Sequence, residues 1–220
     1  MKLSWWKITS ILLVSYSVIG GLLMPVPRIA IVNETIRNQY YHVTMWFALL
    51  IILTVSLIFS IRFLITQKME DDDVAVEFSN LGFLFGILGL STGMVWANFT
   101  WGDWWSGDVK QNMTLVALLI YAAYLVLRNS MENDFLRAKV SAVYNIFAFS
   151  SLIPLLVIVP RMYDSLHPGS GGNPGFKVYD MDFWLRIVFY PSVIGWTLLG
   201  TWIATMWVRL RRVERSGNKE

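Results

Sequence analysis

Cysteine is absent from the 220 residues of this chain. That excludes a disulfide framework, a thiolate metal site and a cysteine nucleophile. Charge is scarce as well, at 15% of residues, against about 25% in a soluble domain. Hydrophobic residues make up 55% and glycine occurs 15 times, too apolar for a disordered chain and too poor in glycine for collagen. No P-loop, G-x-S-x-G or H-E-x-x-H pattern occurs, so the chain does not hydrolyse ATP by itself and lacks two common hydrolase signatures. There is no internal repeat and no loop long enough to form a domain. Function is therefore confined to a membrane bundle or its rim, in one domain over residues 1–220.

Long apolar runs dominate what is present. A transmembrane helix needs about 20 mostly apolar residues, and the sequence predicts six, at Lys7–Met24, His42–Ile65, Ser79–Phe99, Asn112–Leu127, Val140–Pro160 and Phe183–Val208. The fourth is short, so its helix is expected to begin inside the preceding loop. The first is read as a retained span, because Leu-Met-Pro-Val-Pro at 23–27 is no signal-peptidase site. The N-terminus, Arg62, the loops at 66–78 and 128–139 and the tail from 209 hold twelve of the 18 Lys and Arg, from Lys2 to Lys219. The other face holds Arg28, Arg37, Lys110, Arg161, Lys177 and Arg186. The positive-inside rule then puts both termini in the cytoplasm. The acidic run Glu70-Asp71-Asp72-Asp73 falls in a cytoplasmic loop on this reading. Pro154 and Pro191 are expected to produce local kinks only.

Two features of the outer face suggest chemistry. The chain has two histidines, His42 at the mouth of the second span and His167 in the last outer loop. A pair of imidazoles is the usual protein ligand set of a low-spin haem iron, and imidazole also suits Zn, Cu or Ni. Taken alone, the pair leans toward two unrelated interfacial histidines hydrogen-bonded to backbone. The second feature is the outer segment 96–110, where Trp96, Trp101, Trp104 and Trp105 crowd among Gly, Asp and Lys. An aromatic belt would spread its tryptophans over all helices. Clustered in one loop, they offer a flat shelf with polar edges, suited to a large planar ligand with an apolar face. Arg37 and Lys110 could meet anionic groups on such a ligand, and Asp108 is expected to fix the loop by hydrogen bonds.

The run Trp101-Gly102-Asp103-Trp104-Trp105-Ser106-Gly107-Asp108-Val109-Lys110 resembles a tryptophan-rich signature, roughly W-G-x-W-W-x-W-D-x-R/K. This is the signature of haem-handling proteins of the cytochrome c maturation protein C (haem exporter protein C) family and its larger relatives. Arg37-Asn38-Gln39-Tyr40-Tyr41-His42 and Ser165-Leu166-His167-Pro168-Gly169 resemble that family's two outer histidine segments. Length and span number look like protein C rather than the larger members. Gly107 departs from the pattern, standing where a third Trp is usual, and Pro168 replaces the usual Gln.

The resemblance implies an all-α bundle of six spans in the bacterial inner membrane. It implies His42 and His167 as axial ligands of non-covalent haem b, carried as cargo. Trp101, Trp104, Trp105 and Asp108 would form the loop that holds the porphyrin, with Arg37 and Lys110 near its propionates. The implied role is non-catalytic delivery of haem to a membrane-anchored periplasmic haem chaperone. The implied partners are an ABC-transporter pair and a small membrane protein. The alternative is a cytochrome b-like electron-transfer subunit. Such subunits place ligand pairs within facing spans, whereas here one histidine is at a span mouth and one in a loop.

Overall fold

The computed structural model describes residues 4–28, 31–167 and 181–217; Lys2, Pro168, Gly169, Ser170, Lys177 and Lys219 lie outside them. Among the described residues six helices are long and apolar enough to cross a membrane, making this a multi-pass membrane protein. They are α1 (Trp5–Leu23), α2 (Val43–Thr66), α3 (Met69–Trp101), α4 (Val109–Asn129), α5 (Asp134–Met162) and α6 (Phe183–Gly217). A 3-10 segment, Asn33–Tyr40, leads into α2. Within α5, Pro154 cannot donate the usual backbone hydrogen bond. The helix widens there into a π turn over Pro154–Ile158, closed by the Val159 amide donating to the Pro154 carbonyl.

Two sequence expectations are corrected. The acidic run is not in a loop: α2 and α3 are joined by Gln67 and Lys68 alone, and α3 begins at Met69. Acidic side chains in a first helical turn favour the partial positive charge there. Asp71, Asp72 and Asp73 are each also met by an arginine from elsewhere. Arg62 of α2 holds Asp71 at 3.1 Å. Arg128 of α4 grips Asp72 with two hydrogen bonds of 2.9 and 2.6 Å. Arg215 of α6 binds Asp73, and Arg211 binds Glu77 one turn on. At the other end, the tryptophan segment is not wholly loop. Trp96–Trp101 are the last turns of α3, and the loop proper is 102–108.

The α2–α3 pair forms the centre. Gly82, Gly86, Gly89 and Gly93 lie along one face of α3, and each receives a side chain from antiparallel α2 or its N-cap: Leu53, Leu49 (beside Leu118 of α4, which comes nearer), Trp46 and His42, in that order. Small residues let membrane helices approach closely, where lipid supplies no hydrophobic drive. Below this ladder, Asn145 of α5 donates to Ser56 and Ser60 of α2, each at 2.8 Å, and Ser56 donates to the Ala75 carbonyl of α3. The Asn145 amide nitrogen and the Ala75 carbonyl thereby find partners deep in the bundle without water. Helix α1 packs on α6 at the side, tied by Tyr16 donating to the Ile187 carbonyl at 3.0 Å.

Candidate functional site

His42 caps the entry to α2, and the 3-10 segment before it is pinned to the C-terminal end of α3. Asn38 donates to the Thr92 carbonyl at 3.2 Å, and Thr100 donates to Thr35 at 3.1 Å. The His42 ring then lies across α3 at Gly93, with Nδ1 2.7 Å from the Gly89 carbonyl. A carbonyl only accepts, so Nδ1 carries the proton and Nε2 keeps its lone pair. Trp46, one turn along α2, meets the ring edge-on at 6.2 Å.

His167 is built differently, from a strap that follows α5. Asp108 caps α4 by accepting from the Lys110 amide at 2.8 Å. The same carboxylate accepts from the Leu166 amide at 2.7 Å, from Ser165 Oγ and from His167 Nδ1 at 3.0 Å. Here too the acceptor fixes the tautomer, leaving Nε2 of His167 with its lone pair. Burial raises the Asp108 carboxyl, but the hydrogen bonds and charge of His167 and the Leu166 and Lys110 amides outweigh it and hold Asp108 below the ordinary carboxylate range. The imidazole packs against Trp101 at 4.9 Å and Trp96 at 5.5 Å between ring centres. The two imidazoles lie within electrostatic reach of each other.

The remaining predicted residues divide. Trp101 joins His167, whereas Trp104 and Trp105 face outward, 53% and 36% exposed. The Trp105 indole is steadied by donating to Asn112 at 3.2 Å. Gly107 adopts φ +73° with nothing nearby. A tryptophan there would be strained, so the departure from the signature follows from how this loop turns. Lys110 lies at the start of α4, within electrostatic reach of Asp108 and Arg161. Arg37 is turned toward α1: Nη1 donates to the Gly21 and Met24 carbonyls at 3.0 and 2.7 Å, and Nε to Glu34 at 2.8 Å. It closes the open C-terminal end of that helix.

Sequence reading missed Trp46, Gly89, Gly93 and Ser165 as parts of the site. A signal for the glycines was present: Gly89, Gly93 and Trp96 share one helical face by their spacing.

Residues 2–167 match the family model described as cytochrome C assembly protein. The chain belongs to that family. Curated relatives named cytochrome c biogenesis protein CcsA match shorter stretches of this family member. One from Prochlorococcus marinus is 38% identical over 82 residues, 37% of this chain and 26% of the relative. A second from that species is 46% identical over 66 residues, 30% of this chain and 21% of the relative. One from a Synechococcus species is 39% identical over 79 residues, 36% and 25%. The matched stretch thus spans about a quarter of each of these relatives.

Proposed function

We propose that this protein binds haem b non-covalently at the outer face of the bacterial inner membrane. His42 and His167 are the axial ligands, and the haem is cargo for a membrane-anchored periplasmic haem chaperone in c-type cytochrome assembly. The observation that carries the reading is the shared state of the two imidazoles. Each spends its Nδ1 proton on a fixed acceptor, the Gly89 carbonyl or the Asp108 carboxylate. Metal-ligating histidines are oriented by such an acceptor behind the ring. Among the described residues no three His, Asp or Glu side chains converge as a bare ion would need. Two imidazoles suffice for an iron whose remaining ligands a porphyrin supplies.

Bound haem would supply the iron and the apolar macrocycle; the protein's part is to hold, orient and present it without changing a covalent bond. Trp101 backs one ligand, and Trp104 and Trp105 give the exposed shelf. Lys110 and Arg37 are the proposed partners of the propionates. Because Nε and Nη1 of Arg37 are engaged, it offers a single-point contact through Nη2 rather than a fork. An ABC-transporter pair and a small membrane protein complete the proposed complex, with both termini in the cytoplasm.

The test is the absorption spectrum and haem content of the protein purified in mild detergent. His42→Gly and His167→Gly should each lose haem and shift the Soret band, and added imidazole should partly restore both. A double variant with wild-type spectrum and stoichiometry would overturn the assignment.

A further inference from the structure

The glycine ladder ends on one of these two histidines. At its outer rung the α3 residue is Gly93, and a Cβ built there would lie 2.5 Å from Cε1, 3.0 Å from Nδ1 and 3.3 Å from Nε2 of His42. Three ring atoms therefore share the space that any other side chain would fill. Gly93 lies inside α3 and its backbone does not take a left-handed conformation, so the helix itself would be better served by alanine. The next rung repeats the arrangement, with a Cβ on Gly89 only 2.9 Å from the Trp46 ring. Gly89 also offers the carbonyl that holds His42 Nδ1, and Thr92 Oγ1 approaches the same nitrogen at 3.4 Å. The register of α2 on α3 and the placing of the imidazole are thus one geometry.

We propose that Gly93 is a positioning residue for the iron ligand His42: its missing side chain is the slot in which the imidazole is seated with Nδ1 on the Gly89 carbonyl. The proposal rests on the haem-ligand reading above. A methyl group in the slot moves the ring off Gly89, which frees the tautomer and swings Nε2. The bundle itself tolerates this, because the displaced atoms are the far end of a side chain at the helix mouth.

The experiment compares Gly93→Ala, Gly82→Ala and His42→Gly, each as the full chain in detergent, by haem affinity, Soret position and iron midpoint potential. Gly82→Ala perturbs the same ladder at Leu53, far from the ligand. Gly93→Ala should bind haem roughly 10- to 100-fold more weakly, as loss of a ligand's orienting partner does, with a shifted spectrum and potential. Gly82→Ala should keep the wild-type spectrum. A second comparison removes the clash altogether: imidazole is titrated into His42→Gly and into His42→Gly/Gly93→Ala. With the slot filled, half-maximal rescue should need at least about tenfold more imidazole. Equal rescue in the two, or a Gly93→Ala protein with wild-type spectrum, affinity and potential while His42→Gly loses its haem, overturns the proposal and leaves the ligand reading standing. A His42→Gly protein with a wild-type spectrum overturns the ligand reading, and the proposal with it.

Discussion

Four donors from two separate segments converge on the carboxylate of Asp108: the Lys110 amide in α4, and the Leu166 amide, Ser165 Oγ and His167 Nδ1 in the strap after α5. The side chain starts a helix and aims an imidazole at once. Asp108→Asn separates these tasks. Asparagine is as good an N-cap as aspartate, so the protein should insert and melt much as before. Its amide carries no charge to hold the His167 proton, and haem affinity should fall roughly 10- to 100-fold. Titration of haem into the purified variant checks this; unchanged affinity would show that His167 is oriented by its tryptophan neighbours alone. The expectation that Asp108 fixes the loop was readable from its place before a helix. That the same group reaches His167 was not, because the two are 59 residues apart and no local pattern links them. Arg37 shows the converse: its nearness in sequence to His42 suggested a ligand contact, but its Nη1 and Nε are taken up by two α1 carbonyls and Glu34.

Among the elements, the α2–α3 pair sets the tolerance of the bundle to change. A Cβ on Gly82 would run into Leu53, a side chain that is 1% exposed. Overpacking of a filled interior costs about 1–3 kcal/mol, so Gly82→Ala should lower the thermal midpoint in detergent. Gly82→Ala/Leu53→Ala should lower it less than the sum of the single changes, because the contact being relieved is the one that was created. Strict additivity would mean that the two residues do not share the rung. The six spans were legible because lipid demands long apolar helices. The length of α3 was hidden: four acidic residues in succession look like a solvated turn until arginines from α2, α4 and α6 are seen to meet the three aspartates. The tryptophan run looked like loop for a similar reason, since aromatic residues between glycines carry no helical period.

For the molecule as a whole, the acidic end of α3 is the point where three other helices are joined. The Asp72–Arg128 pair is the most enclosed of these links, with side chains 3% and 5% exposed. Removing one partner leaves a buried charge alone, at a cost of about 3–5 kcal/mol, whereas an apolar pair of similar volume can be neutral. Arg128→Met should therefore destabilise strongly, and Asp72→Leu/Arg128→Met should recover most of the loss. Thermal unfolding in detergent measures both, and a double variant no better than the single would assign Arg128 a role outside the pair.

At about 1.5 Å per residue, the stretch of α3 from Glu77 to Trp96 covers about 29 Å, close to the hydrocarbon thickness of a bilayer, about 30 Å. With the ion pairs at one water boundary, Trp96 falls at the other, and Trp101 with the 102–108 loop stands beyond it. One rod thus works as a gauge of depth. It sets Trp101 and the shelf of Trp104 and Trp105 above the lipid tails, where, on the proposed function, a collector at the water boundary would reach a planar apolar cargo without entering the membrane.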